Sequence, residues 1–276
     1  MTLVGKSVTQ RYLWGAMTFF GCQLDSVWED KAASFSQAHA LFEKTPPVPG
    51  SLVVLPEMFA TGFSTQTQRT RQGNPPECDA FLKSLAQRHQ ATVIGGVVGT
   101  RPSGELTNDA VAFDSAGQEL CRYSKIQPFS GGGELAIHTP GREIRTFHWG
   151  GFTVCPLICY DLRFPELFRA GARRGATLFV VMASWPVMRD RHWQILLQAR
   201  AIENQAYVIG VNRCGRDPNL YHSGRSCLVD PQGVIIADAG EGQKVFRGEL
   251  DPETVANWRR DFPALRDMGW RDPLDA

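Results

Sequence analysis

The stretch Pro156-Leu157-Ile158-Cys159-Tyr160-Asp161-Leu162-Arg163-Phe164-Pro165-Glu166 sets an apolar run directly before a cysteine and a group of polar residues. Reading outward, Phe152–Ile158 has the make-up of a buried strand, and a helix is expected near 165–174 beyond a sharp turn at Cys159. Arg145–Trp149 reads as the partner of that strand, in a hairpin around Gly150-Gly151. On the other side, Ala176–Ala183 reads as an apolar strand. Asp190–Gln205 predicts a long helix with Trp193, Leu196, Leu197, Ala201 and Ile202 at its apolar positions. Tyr207–Val211, a hairpin at Asp230-Pro-Gln-Gly233 and a closing strand near Lys244–Leu250 complete this half.

The first half has the same rhythm. Met17–Leu24 reads as a strand, and Trp28, Ala32, Phe35, Ala38 and Phe42 recur at helical spacing over 28–45 until Pro46-Pro47. Ser51–Pro56 is a buried strand, a helix follows Asn74-Pro75 with Leu82, Leu85, Ala86 and His89 along it, and Ala91–Val98 is the next strand. Leu106–Phe113 and Gln118–Tyr123 flank a hairpin turn at Asp114-Ser-Ala-Gly117. Buried strands alternating with helices, with antiparallel hairpins added, predict a mixed α/β arrangement of sheets covered by helices. No low-complexity linker or short repeat divides it, so we read an N-terminal arm at 1–16 and a single domain at 17–276. Tyr12–Cys22, preceded by Lys6 and Arg11, also has the outline of a short signal sequence ending at a lipidatable cysteine. The strand reading is preferred, because cleavage before Cys22 would delete the apolar element ahead of the first helix.

With 276 residues, 29 basic and 28 acidic side chains and a net charge of +1, the chain lacks the concentrated positive charge of a general phosphate-backbone binder. No basic stripe or amphipathic basic helix suggests nucleic acid or a membrane surface, and no apolar run reaches the roughly 18 residues of a membrane span. Seven cysteines, odd in number and without a CxxC pair, give no support to a zinc ribbon, a thioredoxin-like site or a disulfide framework. A reducing, cytoplasmic setting is the expectation.

Three reactive residues end apolar strands. Glu57 follows Leu55-Pro56, Lys125 leaves the strand ending Tyr123-Ser124, and Cys159 follows Ile158. Each has an ordinary reading by itself: a surface carboxylate, a solvated lysine, a buried inert cysteine like Cys155 and Cys227. A thiol at a turn into a helix, beside a cation, is expected to have a lowered pKa.

These segments, in this order, resemble the nitrilase superfamily of carbon–nitrogen hydrolases over about Phe19 to Pro263. Asn108, Ala183-Ser-Trp-Pro186, His192-Trp-Gln194 and Ala199–Tyr207 resemble further landmarks, and together they look most like its omega-amidase branch. The resemblance implies a four-layer α-β-β-α sandwich and a thioester mechanism without metal or organic cofactor. Cys159 would be the nucleophile, Glu57 the base and acid, and Lys125 the oxyanion's cation, joined by the backbone N–H of Tyr160. Glu134, in Ser130-Gly-Gly-Gly-Glu134, matches a second glutamate that positions the lysine and contacts substrate. The substrate implied is a small carboxylate-bearing amide such as 2-oxoglutaramate, with Gln127, Arg163 and Trp185 as candidate pocket residues. Arginine is the natural carboxylate donor, although Arg163 could instead pair with Glu166.

The substrate loop departs from the branch, with Gln127 where a histidine is usual and Pro128 beside it. An N-carbamoyl compound, another aliphatic amide or a nitrile is the alternative substrate for the same chemistry. A papain-like protease would need a histidine base near Cys159 and would leave Glu57 and Lys125 without roles. The non-enzymatic alternative is an inactive binding module on the same fold. His192 is read as a packing residue, and its helix with the segment after Cys159 resembles the surfaces through which the superfamily forms homodimers.

Overall fold

The computed structural model describes residues 16–268, so the arm expected at 1–16 lies almost wholly outside the described residues. In chain order the elements are β1 (Met17–Gln23), α1 (Lys31–Lys44), β2 (Leu52–Val54), α2 (Thr67–Thr70), α3 (Glu77–His89), β3 (Thr92–Thr100), β4 (Leu106–Phe113) and β5 (Glu119–Ser124). The second half has β6 (Phe147–Trp149), β7 (Phe152–Ile158), α4 (Pro165–Arg173), β8 (Leu178–Ala183), α5 (Asp190–Asn204), β9 (Tyr207–Asn212), β10 (Cys214–Arg216) and β11 (Tyr221–Ser223). It closes with β12 (Cys227–Val229), β13 (Ile235–Asp238), β14 (Lys244–Leu250), α6 (Pro252–Asp261) and α7 (Ala264–Asp267).

Two six-stranded sheets carry the fold, in the orders β14-β1-β2-β3-β4-β5 and β13-β12-β9-β8-β7-β6. Each has a parallel trio, β1-β2-β3 or β7-β8-β9, flanked by antiparallel strands. The alternation of strand side chains explains the layering. On β1, β2 and β4, Phe19, Leu52, Val54, Ala110 and Ala112 face the second sheet. Their neighbours Phe20, Val53, Val111 and Phe113 pack with Ala38 and Phe42 of α1 and Leu82, Leu85 and Ala86 of α3. Trp193, Leu197 and Ala201 of α5 and Phe168 of α4 cover the other sheet. The result is the four-layer α-β-β-α sandwich.

Some local readings change. Helix α1 starts at Lys31, not at 28, because Asp30 caps it by accepting from the Ala33 N–H at 2.9 Å. Ile202 is exposed, and the buried face of α5 uses Arg200 and Asn204 instead. Cys22 is a core residue of β1, paired across to Val245. Among the described residues no helix is long and apolar enough to cross a membrane.

Candidate active site

The three strand-end residues meet at one end of the sandwich. Beyond β2, the Leu55 N–H bonds to the Ile94 carbonyl and the Gly96 N–H to the Pro56 carbonyl, which holds the chain against β3 through Glu57. A methyl group on Gly96 would lie 2.5 Å from Cα of Glu57, so only glycine permits this approach. Met58 then turns with φ +45°. Lys125 is fixed beyond β5 by its N–H to the Asn108 carbonyl at 2.8 Å. Cys159 ends β7 with φ +45°, a left-handed conformation that turns the chain sharply into a short 3-10 helix over Cys159–Arg163.

Glu57, Lys125 and Glu134 are almost wholly buried. Lys125 Nζ donates to Glu57 Oε1 at 2.9 Å and to Glu134 Oε2 at 2.8 Å. Asn108 Nδ2 donates to the same two carboxylates, at 2.8 Å to Glu57 Oε1 and 2.7 Å to Glu134 Oε1. The Ser184 N–H fills Glu57 Oε2 at 2.9 Å, and the Phe129 N–H fills Glu134 Oε2 at 2.6 Å. Burial opposes the Lys125 charge, but Glu57 and then Glu134 outweigh it and raise its pKa, so the ammonium persists. Burial likewise opposes ionisation of Glu134, yet Lys125 and the hydrogen bonds hold its carboxyl down at about 2.

The Cys159 thiol differs from expectation. Burial pushes it well above its ordinary value and the Glu57 carboxylate adds to this, while Lys125 opposes it. The turn removes the sulfur from water more strongly than one cation and a five-residue 3-10 helix can compensate, so the resting thiol keeps its proton. A base beside it, Glu57, can remove that proton when a reaction demands it. The other six cysteines are buried and free, and burial raises Cys227 to about 12.

Behind the turn, Asp161 is fully buried and accepts from the Tyr123 hydroxyl at 2.8 Å and from the N–H groups of Ile158 and Gln127, both at 2.9 Å. Burial lifts its carboxyl to about 6, against the pull of Lys125 and these donors. Gln127 is thus placed through its main chain, and it does not line the cavity, which corrects the expectation that its side chain faces substrate.

The cavity above Cys159 has a volume of about 860 Å³ and is lined by Glu57, Lys125, Cys159 and Tyr160. Arg163 and Trp185 join them, together with residues the sequence reading did not single out, notably Phe63, Phe129, Arg189 and His222. Arg163 stacks with Cζ 4.7 Å from the Trp185 ring, and it forms no pair with Glu166. Its terminal nitrogens lie 3.4 Å from Nδ1 of His192, which is exposed and so not the packing residue expected. Trp185 is both wall and core: its indole N–H donates to the Arg189 carbonyl at 2.8 Å and it is nearly buried. Glu134 is not among the residues lining the cavity; it accepts from Lys125, which is. Asn108 appeared only as a landmark, since its bridging position depends on β4 lying between β3 and β5. Among the described residues no group of three or more His, Cys, Asp or Glu is arranged to hold a metal ion.

A glutamate, a lysine and a cysteine presented together from strand ends of an α-β-β-α sandwich define a hydrolase of carbon–nitrogen bonds. The carbon–nitrogen hydrolase family model matches residues 21–260, and the chain belongs to this family, within the nitrilase superfamily, acting on bonds other than peptide bonds. It is 37% identical over 243 residues to omega-amidase YafV of Yersinia enterocolitica, covering 87% of this chain and 92% of that one. It is 30% identical over 247 residues to 2-oxoglutaramate amidase of Bacillus subtilis, covering 89% and 95%. The solved structure of XC1258 from Xanthomonas campestris, described as a CN-hydrolase superfamily protein, superposes with a TM-score of 0.88 at 30% identity, over 94% of this chain and 99% of that one. The chain is an amidase of this family.

Proposed function

We propose that this amidase hydrolyses the terminal amide of a small carboxylate-bearing substrate, a 2-oxo-dicarboxylic acid monoamide such as 2-oxoglutaramate, through a thioester on Cys159. The observation that carries this is the meeting of Glu57, Lys125 and Cys159 in one cavity that also holds Arg163 and Arg189. Neither guanidinium has a carboxylate partner among the described residues, which leaves two cations for a substrate carboxylate. The names of the Yersinia and Bacillus relatives support the same substrate class.

In this reading Glu57 takes the thiol proton as the sulfur attacks the amide carbon, and Lys125 with the Tyr160 N–H balances the oxyanion. Collapse breaks the C–N bond, the proton passes from Glu57 to the departing nitrogen, and ammonia leaves. Glu57 then deprotonates a water that attacks the thioester, which releases the carboxylic acid and returns the proton to the thiol. Lys125, held by two carboxylates, stays a fixed cation throughout. The test is ammonia release from 2-oxoglutaramate, glutamine, an N-carbamoyl amino acid, an aliphatic amide and a nitrile, with Cys159→Ala alongside. Release from 2-oxoglutaramate that vanishes in the variant is expected. Turnover of only another member moves the substrate, and no turnover of any of them returns the inactive binding module.

We also propose that a second copy of the chain covers α5. Met188, Ile195 and Ile202 are all more than half exposed and recur every seven residues, which sets them in one apolar stripe running onto the helix. Sedimentation of the intact protein tests this: a dimer that Ile195→Glu converts to a monomer is the expected result, and a monomeric wild type overturns it.

A further inference from the structure

His138 is buried beside Glu134 of the Glu57–Lys125–Glu134 cluster, and the chemistry above leaves it without a part. Its position is set by the backbone. Glu134–Ala136 forms a 3-10 turn, and the N–H groups of Ile137 and His138 both bond to the Glu134 carbonyl, at 3.0 and 2.8 Å. The next residue, Thr139, is tied by its N–H to the Leu106 carbonyl at the start of β4, at 2.7 Å. The chain thus folds residue 138 back over residue 134 and pins it there.

The ring is 3% exposed, and neither of its nitrogens has a hydrogen-bond partner. A buried polar atom without a partner is costly, and buried polar groups in folded proteins are nearly always paired. Glu134 Oε1 lies 3.7 Å from Nδ1. The two oxygens of that carboxylate are unequally served: Oε2 receives Lys125 and the Phe129 N–H, whereas Oε1 receives only Asn108. A carboxylate oxygen has room for two donors. The vacant acceptor site therefore faces the unused donor, and a small rotation of either side chain brings them into contact.

Charge points the same way. Two carboxylates share one ammonium among almost wholly buried side chains, so the cluster carries an excess of negative charge. An N–H directed at Glu134 compensates part of it without competing for Glu57. It also leaves Oε2 free to hold Lys125.

We infer that His138 is a positioning residue, whose Nδ1–H engages Glu134 Oε1 and thereby holds Lys125 where it stabilises the sulfur of Cys159. The inference builds on the proposed thiol chemistry but not on the identity of the amide. The ring then has Nδ1 protonated and Nε2 bare. Loss of the donor lets Glu134 turn, Lys125 shifts toward Glu57, and the Cys159 thiolate loses its cation. A hydrogen bond to a charged group sets the scale of the effect at about tenfold to a hundredfold.

The test has a readout that needs no substrate. Iodoacetamide alkylation of Cys159 is followed by mass spectrometry from pH 6 to 10 in the wild type, His138→Phe and His138→Gln, with melting temperatures measured in parallel. In His138→Phe the alkylation curve is expected to move to higher pH and the rate at pH 7 to fall about tenfold. His138→Gln, which restores a donor, recovers most of it. With a turned-over amide, His138→Phe lowers kcat by about ten- to a hundredfold and leaves KM nearly unchanged. An unmoved alkylation curve in His138→Phe, whatever its melting temperature, reduces His138 to a space-filling residue and overturns the inference. Should the variants fail to fold, imidazole nitrogen spectra of the wild type decide: a His138 ring with its proton on Nε2 and a bare Nδ1 also overturns it. Failure of the substrate assignment shows separately, as intact alkylation behaviour without release of ammonia from 2-oxoglutaramate.

Discussion

The Tyr123 hydroxyl donates a 2.8 Å hydrogen bond to the buried carboxylate of Asp161, and so joins the last strand of one sheet to the turn that carries Cys159 on the other. The Gln127 N–H reaches the second oxygen of the same carboxylate. The loop that follows Lys125 and the turn at Cys159 are thereby braced against each other, and their relative position does not rest on apolar packing alone.

Asp161→Asn tests that brace and its pH dependence. Asp161 titrates at about 6 in the fold against 3.8 for the ordinary group, so the folded form holds an extra proton between these values. Its contribution to stability is fully present below about pH 3.8 and is lost as pH rises through about 6. Urea unfolding from pH 4 to 7 should show wild type losing on the order of 3 kcal/mol relative to the variant. Parallel stability curves would falsify the assignment. At every pH the Asn variant also presents an N–H group to the Gln127 donor, which loosens the loop.

Glu57→Gln separates the base from the charge. Hydrolysis should fall by about 100- to 10,000-fold, the usual worth of a positioned general base. The carboxylate also raises the thiol, so its removal leaves burial opposed by Lys125 and moves Cys159 alkylation to lower pH. Slower alkylation at pH 7 in the variant would show instead that Glu57 deprotonates the thiol even without substrate.

Gly96→Ala needs no change of any reactive group. The added methyl meets the Glu57 Cα at 2.5 Å and the Met58 nitrogen at 2.9 Å, both main-chain atoms that cannot turn aside. The Glu57 turn must shift, and a displacement near 1 Å costs about a hundredfold in rate. Ammonia release measured on a variant shown to be folded checks this, and undiminished activity rejects the close approach.

Arg163→Ala and Arg189→Ala probe the proposed carboxylate contact. Each should raise KM for 2-oxoglutaramate by about tenfold to a hundredfold, the scale of one charge-assisted hydrogen bond. Turnover of an uncharged aliphatic amide should be little altered. Equal losses on both substrates would mean that the arginines shape the wall, stacked on Trp185 and Phe129, and do not read the charge.

Much of this was legible in the chain. The runs Ser51–Pro56, Ala91–Val98, Phe152–Ile158 and Ala176–Ala183 are apolar but for one hydroxyl side chain each, and the strands of parallel trios buried on both faces account for all four. The hairpins at Asp114–Gly117 and Gly150-Gly151 stood where their turn residues placed them. Glu57, Lys125 and Cys159 were visible as reactive residues at strand ends, because a strand end is where a rigid scaffold leaves a side chain free to work.

Local periodicity and turn chemistry act over a few residues, and within that range the sequence by itself determined most of the longer strands and helices, though not α6 or the short β10–β11 pair, and marked the three reactive positions. Contacts across the chain answer to a different constraint, the packing of both sheets at once. Only that packing brought β14 beside β1, Met17 opposite Leu250, and so joined the chain's last strand to its first. It set Asn108 between two carboxylates 51 and 26 residues away, and placed Cys159 where desolvation and the Glu57 carboxylate raise a thiol whose surroundings in sequence suggested the reverse. Burial and pairing depend on what the rest of the fold removes from water, and no neighbour in sequence carries that information.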